Sequence, residues 1–146
     1  MIFGHDRKQL RKMYFDSWHK AEEGKVLTPL ETEIVEVLKM HPEYHPVFLG
    51  DSNDQLDKDF NTASGDENPF LHMGLHLGIR EQLSTNRPSG ITSVFRKIVT
   101  KVQHPHDAEH IFMEILGEFI WRAQQQGKAP DEVQYLAKLK EQVTLF

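Results

Sequence analysis

Nine histidines stand in this 146-residue chain, and six of them form three pairs four residues apart: His41 and His45, His72 and His76, His106 and His110. Random placement would give on the order of half such a pair, so the excess is a signal. On a helix, residues i and i+4 share a face with β-carbons roughly 5–6 Å apart. Two imidazole nitrogens can then meet one ion at about 2.0–2.1 Å each. Continuing the third pair by four residues gives Glu114, so His106, His110 and Glu114 form a row of metal-ligand types over two turns. His72, His76, His106, His110 and Glu114 are the candidate ligands, set on two facing helices.

These residue types point to a transition metal. Neutral imidazole suits zinc, iron, nickel or copper, and without thiolates the ligands do not choose among them. An open coordination position would permit metal-activated water or oxygen chemistry. The competing reading is non-enzymatic: a helical interaction module whose enclosed histidines form a hydrogen-bonded network or a pH switch. His41 and His45 flank Pro42, so a capping or loop-anchoring role is favoured over ligation there. His5, His19 and His104 read as surface or capping residues.

Sharper patterns are present but fail at their demanding positions. His106-Asp107-Ala108-Glu109-His110 spells H-x-x-E-H, in which Glu109 would be the general base of a zinc peptidase. A peptidase of that kind needs a larger chain, a distant third ligand and a strand to align substrate, and none is legible here. No clean E-x-x-H pair of the di-iron bundles occurs, although Asp107-x-x-His110 is close. The helical ligand spacings also resemble hemerythrin-like oxygen carriers and DinB-like single-metal bundles, with a different order along the chain. Asp57-x-Asp59-x-Asn61 matches the start of a calcium loop, but Thr62 replaces the glycine and Asn68 the bidentate glutamate. A solvated acidic loop is the expectation.

The elements that must position these residues are helices. The first is expected from about Asp6 to Glu23, with Leu10, Met13, Tyr14, Trp18 and Ala21 at helical spacing and Gly24 as its stop. Thr28-Pro29-Leu30-Glu31 is a capping box with a first-turn proline, and the helix it opens ends near His41-Pro42. A short helical turn is expected at 42–45, then a long acidic loop at about 50–67. Asn68-Pro69 starts a helix that runs to about Ser84 and is apolar almost all round, so His72 and His76 should be enclosed. Gly74 and Gly78 leave room for a neighbouring helix. Further helices are expected near 91–103, from His104-Pro105 to Gln126 with Gly127 as the stop, and from Asp131-Glu132 onward. In the longest of these, Ile111, Phe112, Ile115, Leu116 and Phe119 lie opposite the His/Glu/Gly/Trp face. The expected fold is all-α, a compact single-domain bundle of five to six helices spanning 1–146.

Composition narrows the classes further. The chain has no cysteine, which removes disulfides, thiolate zinc sites and cysteine nucleophiles, and fits a reducing compartment. Net charge is −5 with neutral histidines, moving to +4 if all nine were protonated. A mildly acidic chain without a basic block is a poor candidate for nucleic acid or anionic membranes. The N-terminus carries charges where a signal peptide needs apolar residues, and no apolar run approaches the roughly 20 residues of a membrane helix. A cytoplasmic protein is expected; a protein partner or homo-oligomer is left open.

Three blocks together resemble a family. They are His41-Pro42-Glu43-Tyr44-His45; Asn68-Pro69-Phe70-Leu71-His72 through His76 to Glu81-Gln82-Leu83; and Ala108-Glu109-His110, Met113-Glu114, Leu116-Gly117-Glu118, Trp121 and Ala123-Gln124, closing on Pro130-Asp131 and Tyr135-Leu136. Over essentially its full length the chain resembles the short bacterial proteins grouped as domain of unknown function 1841. The resemblance implies a single domain and makes the three histidine blocks family motifs. It implies no activity.

Overall fold

The computed structural model describes residues 7–49, 55, 56, 58, 60 and 68–146. These form seven α-helices: α1 (Arg7–Glu22), α2 (Pro29–Lys39), α3 (His45–Leu49), α4 (Pro69–Thr85), α5 (Ile91–Val102), α6 (Pro105–Gln126) and α7 (Glu132–Leu145), with a 3-10 turn at Pro42–Tyr44 before α3. No strand occurs among the described residues, so the fold is all-α as the periodicity predicts. The helix count exceeds five to six because α3 is only five residues long, too short for an apolar period to show. Most of the expected acidic loop, with Asp57, Asp59 and Asn61, lies outside the described residues, as does His5. No described helix is long and apolar enough to cross a membrane.

The chain divides into two compact units, Met1–Gly74 and Leu75–Phe146, with the border inside α4. In the first, α2 starts as its sequence demands. The Thr28 hydroxyl accepts from the Glu31 backbone N–H at 3.2 Å, and Glu31 Oε1 accepts from the Thr28 backbone N–H at 2.9 Å. Lys20 reaches Glu31 from α1 at 2.7 Å. The core gathers Phe15, Ile34, Val37, Leu38, Phe48, Phe70 and Met73. Phe15, Phe48 and Phe70 pack as rings with centroids 4.9–6.2 Å apart, the tilted arrangement aromatic rings prefer. The buried Arg11 guanidinium donates to the carbonyls of Gln55 (2.9 Å) and Lys58 (2.7 Å) and lies over the Phe70 ring.

The second unit builds its core from α4, α5, α6 and α7: Ile79, Ile91, Val94, Ile98, Phe112, Leu116, Tyr135 and Leu139 among others. Gly90 precedes α5 with φ +99°, a conformation that an L side chain resists, and the Asn86 side chain holds this turn by accepting from the backbone of Gly90 and Thr92. At Gly78 a β-carbon would meet Leu116 at 3.6 Å, so α6 passes close over this glycine, as its place in the sequence suggests. Tyr135 on α7 donates to Gln82 Oε1 on α4 at 2.7 Å. These contacts fix α6 against the C-terminal part of α4, the two helices that carry the second unit's histidines.

Candidate functional site

Each unit sets one imidazole against another. In the first, the Nδ1–H of His41 donates to the Val37 carbonyl at 2.7 Å, and His45 Nε2–H donates to the Leu38 carbonyl at 2.8 Å. Both acceptors belong to the last turn of α2, where they also take the backbone N–H of Met40 (3.1 Å) and His41 (3.0 Å). Both contacts are compatible with the anchoring role that the sequence favours for this pair. With Nδ1 protonated, a neutral His41 presents its Nε2 lone pair to His72 Nε2, 3.0 Å away. Tyr44 stacks on His41 at 5.2 Å, and Trp18 packs against His45 at 4.8 Å.

The second unit gathers three imidazoles. His76 comes from α4, and His106 and His110 from adjacent turns of α6. One ring nitrogen of each lies within 4.8 Å of the others. His76 Nε2 and His110 Nε2 are 3.1 Å apart, the His76 and His106 rings stack at 5.0 Å, and the His106 and His110 centroids are 4.3 Å apart. His76 is fully buried, while His106 and His110 are partly exposed at the edge.

Behind His76 stands a carboxylate. Glu109 Oε1 is 3.3 Å from His76 Nδ1, and the same oxygen accepts from Arg80 Nε at 3.1 Å. Arg80 Nη2 reaches Oε2 at 3.5 Å. Burial is the largest single influence on the Glu109 carboxyl and pushes its pKa up. The His76 hydrogen bond, with the charge and hydrogen bond of Arg80, outweighs it and holds the group below the ordinary carboxylate value. An ionised Glu109 can only accept, so His76 gives it the Nδ1–H, and when the ring is neutral its Nε2 lone pair faces His110.

Of the five sequence candidates, His76, His106 and His110 come together. His72 lies in the first unit against His41, and Glu114 is exposed to solvent one turn beyond His110. Trp121, on the same helix face, is 60% exposed. As a site residue, Glu109 enters the sequence reading only as the base of an H-x-x-E-H pattern, and Arg80 does not enter it. The sequence does carry a signal for Glu109: it precedes Phe112 and Met113 by three and four residues, so it sits on the buried stripe, where a charge must be paired. Arg80 follows His76 by one helical turn, within reach of whatever His76 touches. Held by His76 and Arg80, Glu109 anchors an imidazole, and the base role suggested by the H-x-x-E-H spelling has no free carboxylate behind it.

Fold and site thus define an all-α protein with a cluster of imidazoles backed by a carboxylate and a guanidinium. The chain matches the family described as Domain of unknown function (DUF1841) over residues 6–141, and it belongs to that family. No curated protein and no solved structure matches it.

Proposed function

We propose that the second unit binds one divalent transition-metal ion through His76, His106 and His110. The observation that carries this reading is the polarity of His76: its Nδ1–H is given to Glu109, and its Nε2 faces His110. Carboxylates placed this way fix the tautomer and raise the basicity of metal-binding histidines. The distances suit the assignment. Two nitrogens about 2.0–2.1 Å from one ion, at angles between octahedral and tetrahedral, lie about 2.9–3.4 Å apart; the His76–His110 separation is 3.1 Å. Three neutral nitrogens suit zinc, iron, nickel or copper, any of which supplies Lewis acidity at bound water.

Titration with Co²⁺ tests the assignment, because visible d–d bands report nitrogen coordination directly. The wild type should develop them and lose them on adding Zn²⁺, and His110→Ala should not develop them. Featureless spectra in the wild type would refute the site.

A second reading rests on the same 3.1 Å, which also suits an N–H···N hydrogen bond. Here the imidazoles form a proton-responsive network in an interaction module. Thermal unfolding with and without chelator at constant pH separates the two. A metal protein loses stability on chelation; a proton network is indifferent to chelator and responds to pH near 6.

A further inference from the structure

Arg80 meets Glu109, the carboxylate behind His76, and this placement bears on how the site is built. It lies one turn beyond His76 on α4 and meets Glu109 of α6 side-on, with Nε on Oε1 at 3.1 Å and Nη2 toward Oε2 at 3.5 Å. Oε1 is also the atom that faces His76 Nδ1. Two donors in a rigid planar fork fix both the position and the plane of a carboxylate, which a single point contact cannot do. Glutamate has a flexible stem with several rotamers. Without the fork, Oε1 would be held by the His76 contact alone, at 3.3 Å.

We propose that Arg80 is a positioning residue that selects the His76 tautomer: by clamping Glu109 it keeps the proton on Nδ1 and the Nε2 lone pair turned into the imidazole cluster. The choice has two consequences. With the proton on Nδ1, His76 offers Nε2 both to His110 and to an ion. With the proton on Nε2, a donor replaces that lone pair, and the cluster loses one of its three inward nitrogens. An arginine outside the ligand set therefore sets how many ligands the cluster presents. The metal consequence rests on the proposed function; the tautomer assignment does not.

The test is a long-range ¹H–¹⁵N correlation on the full-length, metal-free, ¹⁵N-labelled chain, which distinguishes a protonated ring nitrogen from an unprotonated one. Wild-type His76 should show Nδ1 protonated and Nε2 unprotonated. Arg80→Gln, with unchanged helix content by far-UV circular dichroism, should give an averaged pattern from both tautomers. Arg80→Lys keeps a cation near Glu109 but loses the planar fork and should restore the wild-type pattern only in part, a graded response that a purely structural role does not require. Zn²⁺ affinity should fall about ten- to hundredfold in Arg80→Gln. A single Nδ1-protonated form in Arg80→Gln, or an Nε2-protonated His76 in the wild type, would overturn the proposal. A wild type that takes up no Zn²⁺ would sink the metal assignment alone, and the spectra of the metal-free protein would still decide the role of Arg80.

Discussion

The two units each set one imidazole against another, Nε2 to Nε2, at nearly equal distance: 3.0 Å for His41 and His72, 3.1 Å for His76 and His110. The difference lies behind the rings. His41 gives its Nδ1–H to a backbone carbonyl at the end of α2, a neutral acceptor fixed by the helix itself. His76 gives its own to a buried carboxylate that an arginine holds from the far side. A carbonyl satisfies a proton and ties down a loop. A carboxylate does that and also makes the opposite nitrogen a stronger electron donor. The second pair has a third imidazole, His106, beside it in the same unit. The same residue type thus leans on a backbone carbonyl in one unit and on a carboxylate in the other.

Substitutions that affect one unit and spare the other sharpen this contrast. The largest effect is expected in metal uptake. If zinc sites draw about 10–16 kcal/mol from four ligands, each ligand contributes roughly 3–4 kcal/mol. His76→Ala or His110→Ala should then weaken Zn²⁺ binding by about 150- to 900-fold by the same reckoning, measured by competition with a chromophoric chelator. His72→Ala should leave it unchanged. Equal losses in all three variants would erase the distinction between the pairs.

Next in size is stability. Glu109→Ala strips His76 of its acceptor and leaves Arg80, largely buried, without its carboxylate. Such a change should destabilise the protein by about 2–4 kcal/mol in urea unfolding under chelator. Glu109→Gln, which keeps an acceptor oxygen, should cost less. In the first unit His45→Ala removes one hydrogen bond to Leu38 and the Trp18 contact, and should cost only about 1 kcal/mol. A His45 variant as damaging as Glu109→Ala would reverse the ranking.

The last effect appears only in alkali and falls on both units. Burial pushes the Tyr14 phenol up to about 12, and it raises Tyr135 as well, against the opposing hydrogen bond to Gln82. A raised folded value means that the unfolded chain ionises first. Stability is therefore intact below about pH 10, the ordinary tyrosine value, and declines as pH rises from there through the folded value. Absorbance titration at 295 nm should show Tyr14 ionising near 12 in the native protein. Replacing Tyr14 with Phe should flatten the alkaline loss of stability.

Helix borders were legible because they are written in local chemistry. Thr28-Pro29-Leu30-Glu31 closes its capping box, and Asn68 caps α4 through the backbone N–H of Phe70 and Leu71. Asp131 caps α7, and Gly127 ends α6 with φ +63°. The brief α3 was not legible, since five residues give no period. Within the site, the i,i+4 rule found His76, His106 and His110 but could not rank Glu114 against Glu109. Following the row of fours led to the exposed Glu114. The buried carboxylate is the one on the apolar stripe, where pairing is obligatory. His72 and His76 share a helix and a spacing, yet their partners come from residues far away in sequence, which spacing does not encode.

The central claim is that His76, His106 and His110 hold an ion, and metal content tests it most directly. Tag-free protein purified without chelator, and the same protein after incubation with Zn²⁺ and desalting, would be measured by plasma mass spectrometry beside the His76→Ala/His110→Ala double variant. The account predicts about one equivalent of transition metal per wild-type chain and none retained by the double variant at equal helix content. A wild type that carries no metal and retains none after loading, or a double variant that retains it fully, would contradict the account.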